Sequence, residues 1–266
     1  MLRKVLPGHS FDVTIDEAKK IQKDYRGRVV LEDSVNLDEI RIVGGVDVAF
    51  LSGVYRFADS SRGNRDDYSE KADKEDVTFI EKRPQSPELT ALAAVVLIDA
   101  QSHEVLELSF AAAPVYFPYI PGFLSFREGP AVLAAIKELD TLPGVMIYDG
   151  CGIAHPRGFG LASHMGVLTG IASAGCAKSR LCGMCDEPEL WKGSWTELTY
   201  KEKIVGSCLR TRDRVKPVYV SPGSGLSIDG ARELVIRCTG KYRLPDPTRL
   251  AHNIVSEKKK ELKEIV

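Results

Sequence analysis

The stretch from Val145 to Gly166, VMIYDGCGIAHPRGFGLASHMG, constrains this chain more than any other. Its first four residues are an apolar run, short and sharply bounded enough for a buried strand. Such a strand delivers Asp149 to its C-terminal end, where Gly150 and Gly152 allow a tight turn and a close approach of backbone to a ligand. Strand ends of this kind are where α/β proteins bind ligands and carry out chemistry. His155, Pro156 and Arg157 follow at once, so a carboxylate, an imidazole and a guanidinium are neighbours in sequence. Taken alone, the segment is equally compatible with an Asp-Gly turn carrying a surface His and Arg.

The rest of the chain narrows this choice. At 266 residues it is long enough to bury a large core, in one large or two small domains. No run of about 18 apolar residues occurs, which argues against a membrane partner, and the N-terminus MLRKVLPGHSF lacks the apolar centre of a signal peptide. These features predict a cytoplasmic protein, and six cysteines suit a reducing compartment. A net charge of −1 excludes a globally basic nucleic-acid binder but leaves a local basic face open.

Thr14 to Val29 has helical periodicity, and Ile40 to Phe50 alternates as a strand with Asp47 among apolar neighbours. A carboxylate there is costly to bury without a cation or hydrogen bonds; the alternative is that Asp47 faces solvent. Residues 52–89 are charged and turn-rich, with only Val77 to Ile80 strand-like, and read as an insertion into the first hairpin of an antiparallel meander. Ala93 to Asp99 and Glu104 to Phe110 complete that meander. In Pro114 to Leu139, the prolines at 118 and 121 with Gly122 form a stiff turn presenting Tyr119 and Ile120. A helix is expected to start near Arg127 and Pro130, with Glu128 in or just before its first turn, either projecting toward a sheet end or simply complementing the helix dipole.

Leu161 to Ala174 is expected to be helical, and Lys178 ends a short strand. Cys182 and Cys185 form a C-x-x-C pair, but no second pair with zinc spacing appears. The basic run Lys201 to Lys216 reads as a solvated strand pair or, beside a carboxylate site, as a phosphate-tracking face. Lys216 to Ser221 is a strand, Ser227 to Arg237 a helix, and His252 is placed at the start of the last helix. Asp47, Glu128 and Asp149 would together suit a hard divalent ion, Mg²⁺ or Mn²⁺, with Lys178 and His155 available for phosphate charge.

The ordered blocks GVDVAF, PVYFPYIPGFLSFRE, YDGCGIAHPRGFGLASHMGVL, CAKSRL, SPG and YRLPDPTRLAH resemble the endonuclease V family over most of the chain. The resemblance implies a ribonuclease H-like α/β fold, a central mixed sheet of about five to seven strands flanked by helices, in a single domain over residues 1–266. It implies a metal-dependent endonuclease that recognises deoxyinosine in DNA and hydrolyses the second phosphodiester 3′ to it. Asp47, Glu128 and Asp149 would bind the metal, with His155, Lys178 and His252 as further active-site groups. Pro118 to Pro121 would be a strand-separating wedge, with Tyr119 at its tip and Ile120 beside it, and the flipped base would sit near Leu124, Gly152, Gly160 and Leu181. The partner is inosine-containing DNA and the expected state is a monomer. Cleavage of inosine-containing RNA, or lesion binding with impaired catalysis, are the alternatives. Two positions depart from the family pattern: DGHG is Asp149-Gly150-Cys151-Gly152 here, and SPGH is Ser221-Pro222-Gly223-Ser224.

Overall fold

The computed structural model describes residues 9–52 and 89–264, so the strand expected at Val77 to Ile80 lies outside the described residues. In chain order the elements are α1 (Ile15–Arg26), β1 (Ile42–Ser52), β2 (Leu89–Asp99), β3 (Val105–Pro114), α2 (Leu124–Lys137), β4 (Val145–Tyr148), α3 (Leu161–Thr169), β5 (Ala172–Ala177), β6 (Trp195–Tyr200), β7 (Lys203–Leu209), β8 (Val218–Ser224), α4 (Ile228–Arg237) and α5 (Asp246–Glu264). The strands form one mixed sheet in the order β3-β2-β1-β4-β5-β8-β7-β6, eight strands among the described residues rather than five to seven.

Apolar patterning explains the layering. β2 is apolar at nearly every position, which requires cover on both faces. Ala93, Val95 and Leu97 pack with Val132 and Ile136 of α2 and Met165 of α3. Val96 and Ile98 face the other way, toward Leu234 and Val235 of α4 and Ala251 of α5. Each such aliphatic side chain contributes roughly 1.5–3 kcal/mol on burial. The meander β1-β2-β3 is antiparallel as expected, and β4 joins β1 in parallel, from Val43 opposite Val145 to Val46 opposite Tyr148.

Two helices begin earlier than their sequence suggests. α2 starts at Leu124 and contains Pro130, so Arg127 and Glu128 lie about a turn inside it rather than at its start. α5 starts at Asp246, which puts His252 well inside that helix; Pro247 in its first turn was the available signal. α5 reaches the sheet because Gly45 has no side chain, since a Cβ there would sit 2.3 Å from the Pro247 carbonyl carbon. The basic run is not uniformly solvated either. It contains β7, which pairs with β6 just before it, but Arg210 is buried, donating to the carbonyls of Glu189 at 2.6 Å and Pro188 at 2.8 Å and to Glu187 at 2.6 Å, and so stitching a loop to the sheet.

On α3, His164 is fully buried among Phe11, Phe126, Phe159 and His9, and its Nδ1 meets Ser125 Oγ at 2.9 Å. Burial holds His164 well below the ordinary imidazole range and lowers His9 to about 4. Both rings are therefore neutral in the fold but take protons in the unfolded chain below about pH 6.5. Stability is fully present above that pH and is lost as pH falls, because the unfolded state then binds more protons. We expect urea unfolding to show a decline that His164 alone steepens by up to about 1.4 kcal/mol per pH unit, the full slope being reached about one unit below 6.5. A His164→Leu variant should have a shallower profile between pH 7.5 and 5; an identical slope would refute this origin.

Candidate active site

The register of β1 and β4 sets the first pair of acids. The two strands pair as far as Val46 and Tyr148, and one step beyond each lies Asp47 and Asp149. Like charges that close disfavour ionisation, so each acid needs a compensating group. His252 of α5 supplies one, its Nδ1 lying 2.8 Å from Asp47 Oδ2. Lys178, just past the end of β5, supplies the other, its Nζ 2.5 Å from Asp149 Oδ2. Desolvation still raises Asp47 above the usual carboxylate range, against the His252 hydrogen bond. Glu128 is pushed up to about 8, first by desolvation and then by the charges of Asp47 and Asp149.

The three carboxylates are thus electrostatically coupled, yet among the described residues no three His, Cys, Asp or Glu side chains are gathered into a ready ligand shell. The reason is visible in the pairings: one oxygen of Asp47 is held by His252 and one of Asp149 by Lys178. The donor chemistry nevertheless fits a hard divalent ion, because an oxygen-rich site in which the charges of Asp47 and Asp149 raise Glu128 is relieved by positive charge.

Beside the acids lies a cavity of about 350 Å³, lined by Tyr119, Ile120, Pro121, Leu124, Gly160 and Leu181 and reached by Asp149 and Lys178. Its volume is in the range of small-ligand pockets. Tyr119 is 75% exposed at the rim, with the Arg127 guanidinium 5.6 Å from its ring. Gly152 is not among the lining residues. His155 lines the cavity, but its ring nitrogens engage backbone groups rather than the acids: it is buried, its Nε2 lies 2.9 Å from the Gly122 carbonyl, and its Nδ1 accepts from Arg157 N at 3.2 Å. A carbonyl only accepts, so the ring is the Nε2–H tautomer. Burial and the Arg157 charge lower it to about 4, which keeps it neutral.

The Endonuclease V family profile matches residues 65–253. An endonuclease V of Trichormus variabilis is 39% identical over 250 residues, covering 94% of this chain and 97% of that protein. The chain belongs to the endonuclease V family. It is accordingly a nuclease, a hydrolase. The crystal structure of Streptomyces avermitilis endonuclease V is similar, with a TM-score of 0.77, 36% identity and 96% of each chain covered. The fold is also that of Ciona intestinalis endonuclease V crystallised with a 24mer DNA containing an inosine followed by a ribo-adenosine, with a TM-score of 0.68, 22% identity, and 95% of this chain and 99% of that one covered. The α/β architecture, a mixed sheet with flanking helices, is the one these endonuclease V structures share.

In this endonuclease V chain the Cys151 thiol is raised to about 12, chiefly by burial, so it is a neutral thiol. Nor do Cys182 and Cys185 form part of a metal-holding group among the described residues. Sequence reasoning missed what Ser221 does. Its Oγ accepts from Gly152 N at 2.9 Å, while the Pro222 carbonyl accepts from Ile153 N at 2.9 Å, so the SPG strand holds the DGCG loop. The contact is so close that a Cβ on Gly152 would lie 1.8 Å from the Pro222 oxygen. Gly152→Ala is therefore expected to cost at least about 3 kcal/mol in urea unfolding. A variant as stable as the parent would show that this backbone contact is not needed.

Proposed function

We propose that this chain is a divalent-metal-dependent endonuclease that recognises deoxyinosine, the deaminated form of deoxyadenosine, in DNA and hydrolyses the second phosphodiester 3′ to it. The products would carry 3′-hydroxyl and 5′-phosphate ends. The observation that supports this most is the coupled set Asp47, Glu128 and Asp149, compensated by His252 and Lys178, beside a cavity with an exposed aromatic rim. Family membership supplies the reaction class, and the Ciona relative's complex with inosine-containing DNA supports the lesion.

Asp47, Glu128 and Asp149 would hold Mg²⁺ or Mn²⁺, which when bound supplies Lewis acidity to a phosphodiester and to the leaving 3′-oxygen. Lys178 offsets charge on the non-bridging phosphate oxygens, and Asp149 aims its ammonium. His252 presents its Nδ1 to Asp47, and if that nitrogen carries the proton, Nε2 is left to take one from an attacking water. On the other side, Tyr119 would fill the gap left by an extruded base, and the apolar and backbone lining around Leu124, Gly160 and Leu181 would receive it. A mismatched inosine costs less to extrude than a paired base, which contributes to selection.

A labelled duplex with one central deoxyinosine, incubated with Mg²⁺, should receive a single nick one nucleotide beyond the lesion, abolished by EDTA and absent from an inosine-free duplex. Asp47→Ala and Asp149→Ala should each slow that nick by about a thousandfold. Wild-type rates in either variant would remove the acids from the chemistry, and faster cleavage of a matched inosine-containing RNA would change the substrate. Tyr119→Ala should lower the ratio of duplex to single-strand cleavage by about tenfold, since unstacking costs a few kcal/mol. An unchanged ratio would reject the wedge.

A further inference from the structure

We propose that Gln22, on the N-terminal helix α1, is a positioning residue that locks the turn carrying Tyr119 to the base cavity; this rests on the reading above of Tyr119 as the strand-separating tip. The reasoning begins with burial. α1 is started by a capping box in which Thr14 N donates to Glu17 Oε2 at 2.7 Å and Glu17 N to Thr14 Oγ1 at 3.3 Å, and it buries Ala18 and Gln22. A glutamine without solvent exposure is costly unless its amide is satisfied. Here both ends of the amide are used. Nε2 donates to the carbonyls of Gly122 at 3.0 Å and Phe159 at 3.2 Å, and Oε1 accepts from Arg157 Nε.

The Gly122 carbonyl is the focus of this network. Besides Gln22 it accepts from His155 Nε2 at 2.9 Å and Arg157 Nη2 at 2.6 Å, three donors on an oxygen with two lone pairs. Gly122 has φ +84° and closes the turn in which Phe123 N donates to Ile120 O at 3.1 Å. The exposed tip at Tyr119 lies just before that turn, so its direction is set by how the base is held. Gln22 also grips Phe159, the residue before Gly160 in the cavity wall. One side chain therefore ties the tip and the cavity wall to a single point. An apolar contact backs it, with Ala18 and Ile21 packed on Phe117, Phe123 and Phe126 and the Arg157 guanidinium 4.0 Å from the Phe123 ring. Separating strands loads this turn directly, whereas a single strand does not, so Gln22 acts on duplex substrate.

Two variants separate hydrogen bonding from packing. Gln22→Met keeps the length and removes donor and acceptor; Gln22→Glu keeps the acceptor for Arg157 and removes the donors. Both are examined by hydrogen–deuterium exchange over residues 117–126 and by cleavage of duplex and single-stranded deoxyinosine substrates. We expect faster exchange in that segment, unchanged exchange in β2, and a duplex to single-strand ratio lowered about tenfold, the scale of one buried hydrogen bond. Parental exchange and ratio in Gln22→Met would overturn the proposal, as would equal losses on both substrates, which indicate a general structural role. Should the methionine variant not fold, the glutamate variant carries both readouts alone. If the parent protein fails to cleave deoxyinosine DNA, the functional reading falls, and the exchange measurement still decides whether Gln22 fixes the turn.

Discussion

The pairing of Val46 with Tyr148 is the contact on which the site depends. Parallel strands in register bring equivalent positions side by side, so the next residues, Asp47 and Asp149, become neighbours although about a hundred residues separate them in sequence. Two carboxylates in that relation repel, and the surrounding elements answer the repulsion. α5 comes close enough to offer His252 because Gly45 presents no side chain to Pro247. β5 ends where Lys178 can meet Asp149, and Arg243 holds that end by donating to the carbonyls of Lys178 and Pro217, each at 2.8 Å. Sheet order thus comes first, and charge balance follows from it.

Histidines illustrate how one residue type serves opposite ends. His252 is half exposed beside a carboxylate, an arrangement suited to proton transfer. His155 is buried and neutral as its Nε2–H tautomer, with both nitrogens engaged on backbone groups. His164 is sealed among aromatic rings. Distance along the chain from Asp149 says nothing about which of these a histidine will be; its neighbours in space do.

This accounts for how much was legible in the sequence. Alternation in Ile40 to Phe50, the apolar run at Val145 and the PYIPG turn are local signals, and each produced the element expected of it. The acids were legible as candidates because a carboxylate amid apolar neighbours is costly anywhere. Arg210 and Gln22 were not, since their partners lie in segments such as Glu187 to Glu189 and Gly122 that no spacing rule connects to them. The starts of α2 and α5 were misplaced for a related reason. Pro130 fits a first turn so well that it masks the turn before it, and tertiary packing extends the helix past it.

The departure at Cys151 is intelligible in the same terms. The loop that follows Asp149 is held almost wholly through backbone groups: Gly152 N donates to Ser221 Oγ at 2.9 Å, Gly160 N to the Gly152 carbonyl at 2.9 Å and Ala162 N to the Cys151 carbonyl at 3.1 Å. None of these bonds uses the side chain at position 151. Replacing an imidazole by a smaller, neutral thiol therefore leaves the loop's path intact and alters only what the cavity offers a ligand. Gly152 has no such latitude, because it is pressed against the Pro222 carbonyl. Tolerance at 151 and intolerance at 152 thus follow from one geometry, in which the backbone carries the architecture and the side chain at 151 is free to vary within a wall it shares with Leu124 and Leu181.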